Sequence, residues 1–491
     1  MAIDNTADEL IGQIESEITQ YLTESVDVGD GHTFSQNKLV RRISLFENHI
    51  YPSGKFDSQG NYKHWFDAIS PAIDSEIKNI DFDTKDIQAY SNRKADELPC
   101  LITNLKVDEY LRTTGQAEEI NSAIEEGAGW GNVLWKKVPG SYERVDLRNA
   151  YIINQTARCV DETPIIERHQ LTASDLRGKM DKWENVKEVI EQCKRDTYKQ
   201  DIGSVESKTT VPYYDIYERN GEVCVADLKR AKGEKPSKND EDKYTFAKVI
   251  AAGTKGQTTG VNIEYLLFVE EMPGKCNSKI YKEYHRGRYK GRWWREGLYE
   301  LLFDIQVRAN QIGNQLSQGL ELASKSIYTS EDKLIQQSIL TDLRNGDILK
   351  TKGLTHVDVR MAAFDQLFAE WNRIIEMRNE IANSREVVQG NNTPSGQPLG
   401  TSQLINQNAN KLFDFIREKL AIPFGEMFEE WIIPDLIKDI KGQEVLRLTG
   451  DPDMLARMMT AIVDDWYVSN LHALPPHDER MKQFFKEQKM K

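Results

Sequence analysis

Cysteine is scarce in this chain and nowhere paired in sequence: Cys100, Cys159, Cys193, Cys224 and Cys276 include no CxxC. Neither a disulfide framework nor a zinc cluster is indicated, and a reducing compartment suits the chain. No apolar run approaches the roughly 18 residues that cross a bilayer. A basic start is missing as well, since Met1 to His32 holds eight acidic residues and no Lys or Arg, the first base being Lys38. That is the opposite of a signal peptide, so we expect a soluble, unsecreted protein with no membrane contact. The 64 Lys and Arg stand against 78 Asp and Glu, for a net charge of -14. Such a balance argues against gripping nucleic acid through a basic face, but not against letting a polyanion slide past. Catalytic signatures are absent too. No GxxxxGK[ST] loop occurs, and Gly127-Ala128-Gly129-Trp130-Gly131 precedes a strand where a dinucleotide loop follows one. There is no HExxH. The expectation is a protein that is not an enzyme, with no cofactor and no metal.

What is present is organised around residues 364–433. Phe364, Leu367, Phe368, Trp371, Ile374, Ile375 and Ile381 recur at steps of three and four, one apolar stripe on an α-helix. Leu404, Leu412, Phe415, Ile416 and Leu420 repeat the pattern, which continues past Pro423 into Phe424, Met427, Phe428, Trp431 and Ile432. Between these arms lies QGNNTPSGQPLGT, Gln389 to Thr401, without a charged residue. Helix connections of that length tend to be functional or mobile. Taken from the residues alone, a plain surface connection is the simpler reading. Pro423 cannot donate to the carbonyl of Lys419, so a kink is expected there, or a fresh helix start.

At 491 residues the length suggests roughly three domains. Leu10, Ile14, Ile18 and Tyr21 or Leu22 predict a solvated acidic helix, and helices are predicted over 37–50, 65–77, 83–112 with a break near Pro99, and 117–127. From Trp130 the signal turns to strands at 131–136, 142–145, 150–153 and 165–168. Thr172 to Asp175 reads as a helix cap, and a further helix covers 184–194. Strands return at 211–217, 222–228, 245–251 and 263–268, with 229–243 as a surface loop. The N-terminal part is thus mixed α and β, helices first and sheet after.

RGRYKGRWWR follows, placing Arg286, Arg288, Lys290, Arg292 and Arg295 among Tyr289, Trp293 and Trp294. Alternating bases and aromatics suit a phosphate-and-stacking surface. In so acidic a chain the weightier reading is an interface clamp, its arginines paired with carboxylates of an adjacent subunit or the capsid. A long helix over 293–323 carries neutral amides on its second half: Asn310, Gln311, Asn314, Gln315 and Gln318. Ordinary solvated faces carry Glu and Lys, so amides suggest a face packed against another copy of the chain. A helix over 330–344 and a small hairpin built on 348–350 and 355–359 complete an αββ excursion before the second long helix.

This order resembles the portal protein of tailed bacteriophages, the head-to-tail connector, and is similar in feel to portals of short-tailed and crAss-like phages. The residues that carry the likeness are Gly131-Asn132-Val133, Gly291-Arg292 with Leu298 to Gln306 and Asn310, the helices around Gly390 to Gly400, and Phe424 to Pro434. The resemblance implies an α+β portal-type fold with a mixed wing over 1–290, long antiparallel stem helices over 291–325 and 362–388, and an αββ clip over 326–361. A tunnel loop over 389–401, a long kinked helix over 402–440 and a short crown and tail over 441–491 complete it. It implies a homo-oligomeric ring, a dodecamer by family, at the unique capsid vertex. Double-stranded DNA would pass through during packaging and ejection. The partners would be the major capsid protein, the large terminase and a head-completion or tail adaptor at the clip. Location would be the virion, and the host cytoplasm during assembly. The channel lip would be Gln389, Gly390, Asn391, Asn392, Thr393, Ser395, Gly396 and Gln397, which offer weak, exchangeable hydrogen bonds where bound Lys or Arg would brake the DNA. The competing expectation is a monomeric DNA-binding or adaptor protein centred on 286–295.

Overall fold

The computed structural model describes residues 8–57, 60–80, 87–90, 97–192, 213–255, 261–272, 274, 276–324, 327–329, 355–357, 364–382, 399–439 and 447–448. They form an α+β protein that falls into two compact units. One is drawn from Met1–Arg41, Asn79–Gly297 and Leu412–Lys491, the other from Arg42–Lys78 and Leu298–Lys411. Residues 42–78, which fall inside the wing expected over 1–290, group with Leu298–Lys411. Among the described residues no helix is long and apolar enough to cross a membrane.

The first unit carries a two-stranded ribbon, β1 (Val26–Gly29) with β2 (His32–Phe34), which the sequence had not suggested. A three-stranded antiparallel sheet holds β3 (Asn132–Val138) between β4 (Ser141–Arg144) and β10 (Tyr281–His285). A five-stranded antiparallel sheet runs in sequence order: β5 (Ala150–Ile152), β6 (Ile165–Leu171), β7 (Tyr214–Cys224), β8 (Tyr244–Lys255) and β9 (Val261–Glu271).

The helix Asp8–Thr23 is more than a solvated face. Its stripe Leu10, Ile14, Ile18 and Tyr21 is buried against Ile166, Tyr217, Val249 and Leu266 of the larger sheet. On its polar side Glu17 takes the buried Arg219 guanidinium bidentately, at 2.7 and 2.8 Å. The opposite sheet face packs Ile216, Ile250 and Ala252 against Leu176, Val189 and Ile190. Thr172 and Asp175 make the expected cap as a full reciprocal box: Asp175 N donates to Thr172 Oγ1, and Thr172 N to Asp175 Oδ2.

β7 corrects the sequence reading most. Glu218-Arg219-Asn220-Gly221 has the look of a turn between two strands, yet the strand runs through it. All three polar side chains are buried, and a Cβ on Gly221 would lie 2.9 Å from Cβ of Pro164. The predicted strand 222–228 ends at Cys224 and becomes the helix Val225–Ala231. Of the helix expected over 83–112 with a break near Pro99, residues 87–90 are not helical and the helix begins at Glu97, so Pro99 lies in its first turn, where a missing N–H costs nothing.

In the second unit the helix expected from Trp65 begins only at Ser70. The backbone N–H groups of His64, Phe66 and Ala68 instead donate to side-chain oxygens of Asn314, Asn310 and Gln306, each at 2.8 Å. Gly313 is required beneath this segment, since a Cβ there would sit 2.4 Å from the Phe66 ring. The helices Phe303–Ser324 and Phe364–Ile381 pack together, with Arg308 3.7 Å from Glu370. Between them in sequence, β11 (Ile327–Thr329) pairs antiparallel with β12 (Thr355–Val357). The hairpin partner expected for 355–357, residues 348–350, and the helix 330–344 lie outside the described residues.

Helix Leu399–Met427 starts inside the loop expected over 389–401 and passes through Pro423 without a break, so Pro423 does not begin a separate helix. It continues as a π turn, Phe428–Ile432, and the helix Ile433–Asp439. Phe413, Ile416, Leu420, Phe424, Met427, Phe428, Trp431 and Ile432 are buried, whereas Phe415, assigned to the inner stripe by spacing, is exposed.

Candidate functional site

Two constellations stand out, both in the first unit. The first is the strap formed by 286–297. Gly131 closes the helix Gln116–Trp130 at φ 82°, a left-handed conformation that glycine adopts freely. A Cβ on Gly131 would lie 2.3 Å from Gly297 N, and one on Gly297 would lie 2.3 Å from Gly129 O. Only two glycines let these backbones touch. Asn132 then locks the strap: its Nδ2 donates to Arg295 O at 2.9 Å, and its Oδ1 accepts from Arg295 N at 3.0 Å. The same Oδ1 faces His285 Nδ1 at 2.7 Å. Burial holds His285 below the ordinary histidine value, against the pull of Glu283, which keeps the imidazole neutral near pH 7.

This geometry corrects the stacking-surface expectation. Trp293 and Trp294 are 0% exposed, and Trp293 Nε1 donates to Glu283 Oε2 at 2.7 Å. Arg292 is buried with its guanidinium 4.2 Å from the centre of the Phe34 ring. Arg295 donates to Arg158 O, and Lys290 pairs with Glu296 at 2.7 Å. Within the chain, Glu283 and Glu296 are carboxylates that meet this segment. Arg288, Tyr289 and Lys290 are the exposed members, and Arg286 is half-buried. The segment is also not the start of a helix, which begins at Leu298.

The second constellation was not legible in the sequence. Glu167 of β6 and Glu218 of β7 are directly opposite each other. Lys136 of β3 reaches both, at 2.8 and 2.7 Å, and Lys248 of β8 reaches Glu218 at 2.8 Å. Tyr281 donates its hydroxyl to Glu167, and Asn220 Nδ2 donates to the Tyr281 oxygen at 2.7 Å. Burial alone would pull the Lys136 ammonium down, but the two carboxylates outweigh it and hold it above the ordinary lysine value. Glu218 is likewise desolvated, yet His169, Lys136 and Lys248 keep it far below the usual carboxylate range. Glu167, His169 and Glu218 stand close enough to share a metal ion; the Lys136 ammonium is the cation between the two carboxylates. The signal in sequence was faint: charges at inward positions of strands read as apolar.

As for the remaining expected residues, Gln389, Gly390, Asn391, Asn392, Thr393, Ser395, Gly396 and Gln397 lie outside the described residues. Of the amides, Asn310 and Asn314 serve the 64–66 backbone, and Gln318 donates to Asp57 at 3.0 Å. Their partner is thus the chain's own extended segment, while Gln311 and Gln315 are exposed. No protein-family model matches the chain, and no curated protein sequence matches it.

Proposed function

We propose that the chain is one subunit of a portal-type ring that forms a channel for double-stranded DNA at a capsid vertex and a platform for terminase and a tail adaptor. The observation that carries this reading is the apolar surface left part-exposed on the long helices of the second unit, where Phe364, Leu367, Trp371 and Ile375 are half-buried and Phe368 and Ile381 are exposed. Of the stripe on Phe364–Ile381 only Ile374 is buried, and Phe368 is 50% exposed. On Phe303–Ser324, Leu320 is 55% exposed. A single soluble chain rarely leaves such residues uncovered in series, and another copy of the same chain is the occupant that closes them. Gln311 and Gln315 would border that contact, and Gln389 to Gln397 would form the neutral channel lip. In this reading the capsid protein meets the exposed stretch Arg288 to Lys290 of the first unit.

The rival, a monomeric DNA-binding protein working through 286–295, loses its stacking platform with Trp293 and Trp294 in the core. The test is the mass of purified protein by light scattering together with negative-stain images. A ring of many copies with feeble, salt-insensitive DNA affinity is expected. A solitary subunit under every condition overturns the proposal.

A further inference from the structure

A cavity of about 470 Å³ opens beside the buried charge cluster, within the first unit. Its lining includes Lys136, Lys137, Lys248 and Lys279, with Glu430 as the one acid, while Phe246, Met272 and Trp431 give it apolar wall. We infer that this cavity is a binding site for a small phosphorylated organic molecule, a class of ligand independent of the ring proposal.

Size comes first. Small-molecule sites are usually about 300–1,000 Å³, mostly apolar, with a few convergent polar groups. The lysines supply those groups in an otherwise acidic chain. Lys136 spends two donors on Glu167 and Glu218, and Lys248 spends one on Glu218. An ammonium has three donors, so each retains capacity while the carboxylates behind it fix its position. Lys248 keeps 26% of its side chain exposed.

Charge accounting points the same way. Glu430 is shared between Lys282 at 3.3 Å and Lys279 at 3.5 Å. Lys137 is exposed and has no carboxylate partner among the described residues, so the lining is left with a surplus cation. A phosphate oxygen cluster would satisfy the spare donors of several lysines at once, as a point charge does for flexible ammonium groups.

The far wall is the π turn Phe428–Ile432, which contributes Glu430 and Trp431. Single π turns inside α-helices are rare and recur at functional sites. Here the widened turn brings an indole-bearing residue and the sole lining acid to the same cavity. A phosphate on the lysines with an apolar or aromatic body against Phe246, Met272 and Trp431 uses every part of it.

Calorimetric titration of the full chain with AMP, and separately with inorganic phosphate, tests the assignment. AMP is expected to bind saturably, one per chain, at least tenfold tighter than phosphate. The exposed pair Lys137→Ser and Lys279→Ser should weaken AMP binding at least tenfold with the thermal midpoint unchanged; should that variant fail to fold, Lys137→Gln alone carries the same test. No saturable binding, unchanged affinity in the variant, or succinate competing as well as AMP overturns the site.

Discussion

The two units of the chain differ in what they bury and in which elements carry their exposed apolar side chains. The first buries ions and tryptophans together: Lys136, Glu167, Glu218, Arg219 and Arg292 are all in the interior, each with a partner of the same chain. Among its described residues the second buries only two charges, Glu76 and Arg378, and it exposes Val307, Leu320, Phe368, Met377 and Ile381 along its two long helices; the first exposes apolar side chains too, Phe415 and Ile422 among them. Buried ions are tolerated only when fully paired, because desolvation is costly. Apolar side chains facing water on the two long helices have no such compensation, and under the ring proposal another copy covers them. Under the ring proposal the contrast is between a unit held by internal ion pairs and one whose long helices meet another copy.

Four measurements can break or sharpen that contrast. The largest effect is expected on assembly: Phe368→Ser with Ile381→Ser should reduce a ring to single subunits in light scattering, with subunit stability changed by no more than about 0.5 kcal/mol. A large loss of stability without loss of assembly would show that these side chains belong to the subunit's own core. Next is Lys136→Met, which leaves Glu167 with the Tyr281 hydroxyl and the His169 ring at 3.7 Å, and two carboxylates face to face. Removing one side of a buried pair costs about 3–5 kcal/mol, to be read as a lowered thermal midpoint.

Gly297→Ala comes third. Its Cβ would meet backbone atoms of Gly129 and Gly131 at 2.3 Å, and backbone cannot swing aside. Overpacking of this kind costs about 1–3 kcal/mol, sometimes more; a neutral result in chemical denaturation would mean the two glycine segments are not in contact. The smallest effect concerns pH. Burial, with Glu9 beside it, raises the Asp227 carboxyl to about 6, although Arg230 contacts both acids. Its folded state therefore holds the proton more tightly than the unfolded chain does. Stability from this group is present below the ordinary aspartate range and declines as pH rises through about 6. Asp227→Asn should remove that decline, so the variant gains on the wild type between pH 4 and pH 7, by less than about 1 kcal/mol.

Legibility in sequence followed the physics of each element. The stripe Leu10, Ile14, Ile18 and Tyr21 is a one-dimensional pattern and was readable, as was the Thr172 to Asp175 box, whose partners are three residues apart. The helix 65–77 was misread at its start because the competing bonds for His64, Phe66 and Ala68 come from amides some 240 residues away in sequence, at separations of 250, 244 and 238. Trp293 and Trp294 looked like a surface because spacing says nothing of Glu283 or of the Gly131 and Gly297 contact.

Local pattern by itself determined that this is an α+β chain and where most of its helices run. Which polar residues go inside was decided only by tertiary structure. Glu218 and Asn220 look like loop residues until Lys136, Lys248 and Tyr281 arrive from other strands. The reason is energetic: a charge enters a core only where another part of the chain meets it, and no window of neighbouring residues contains that partner.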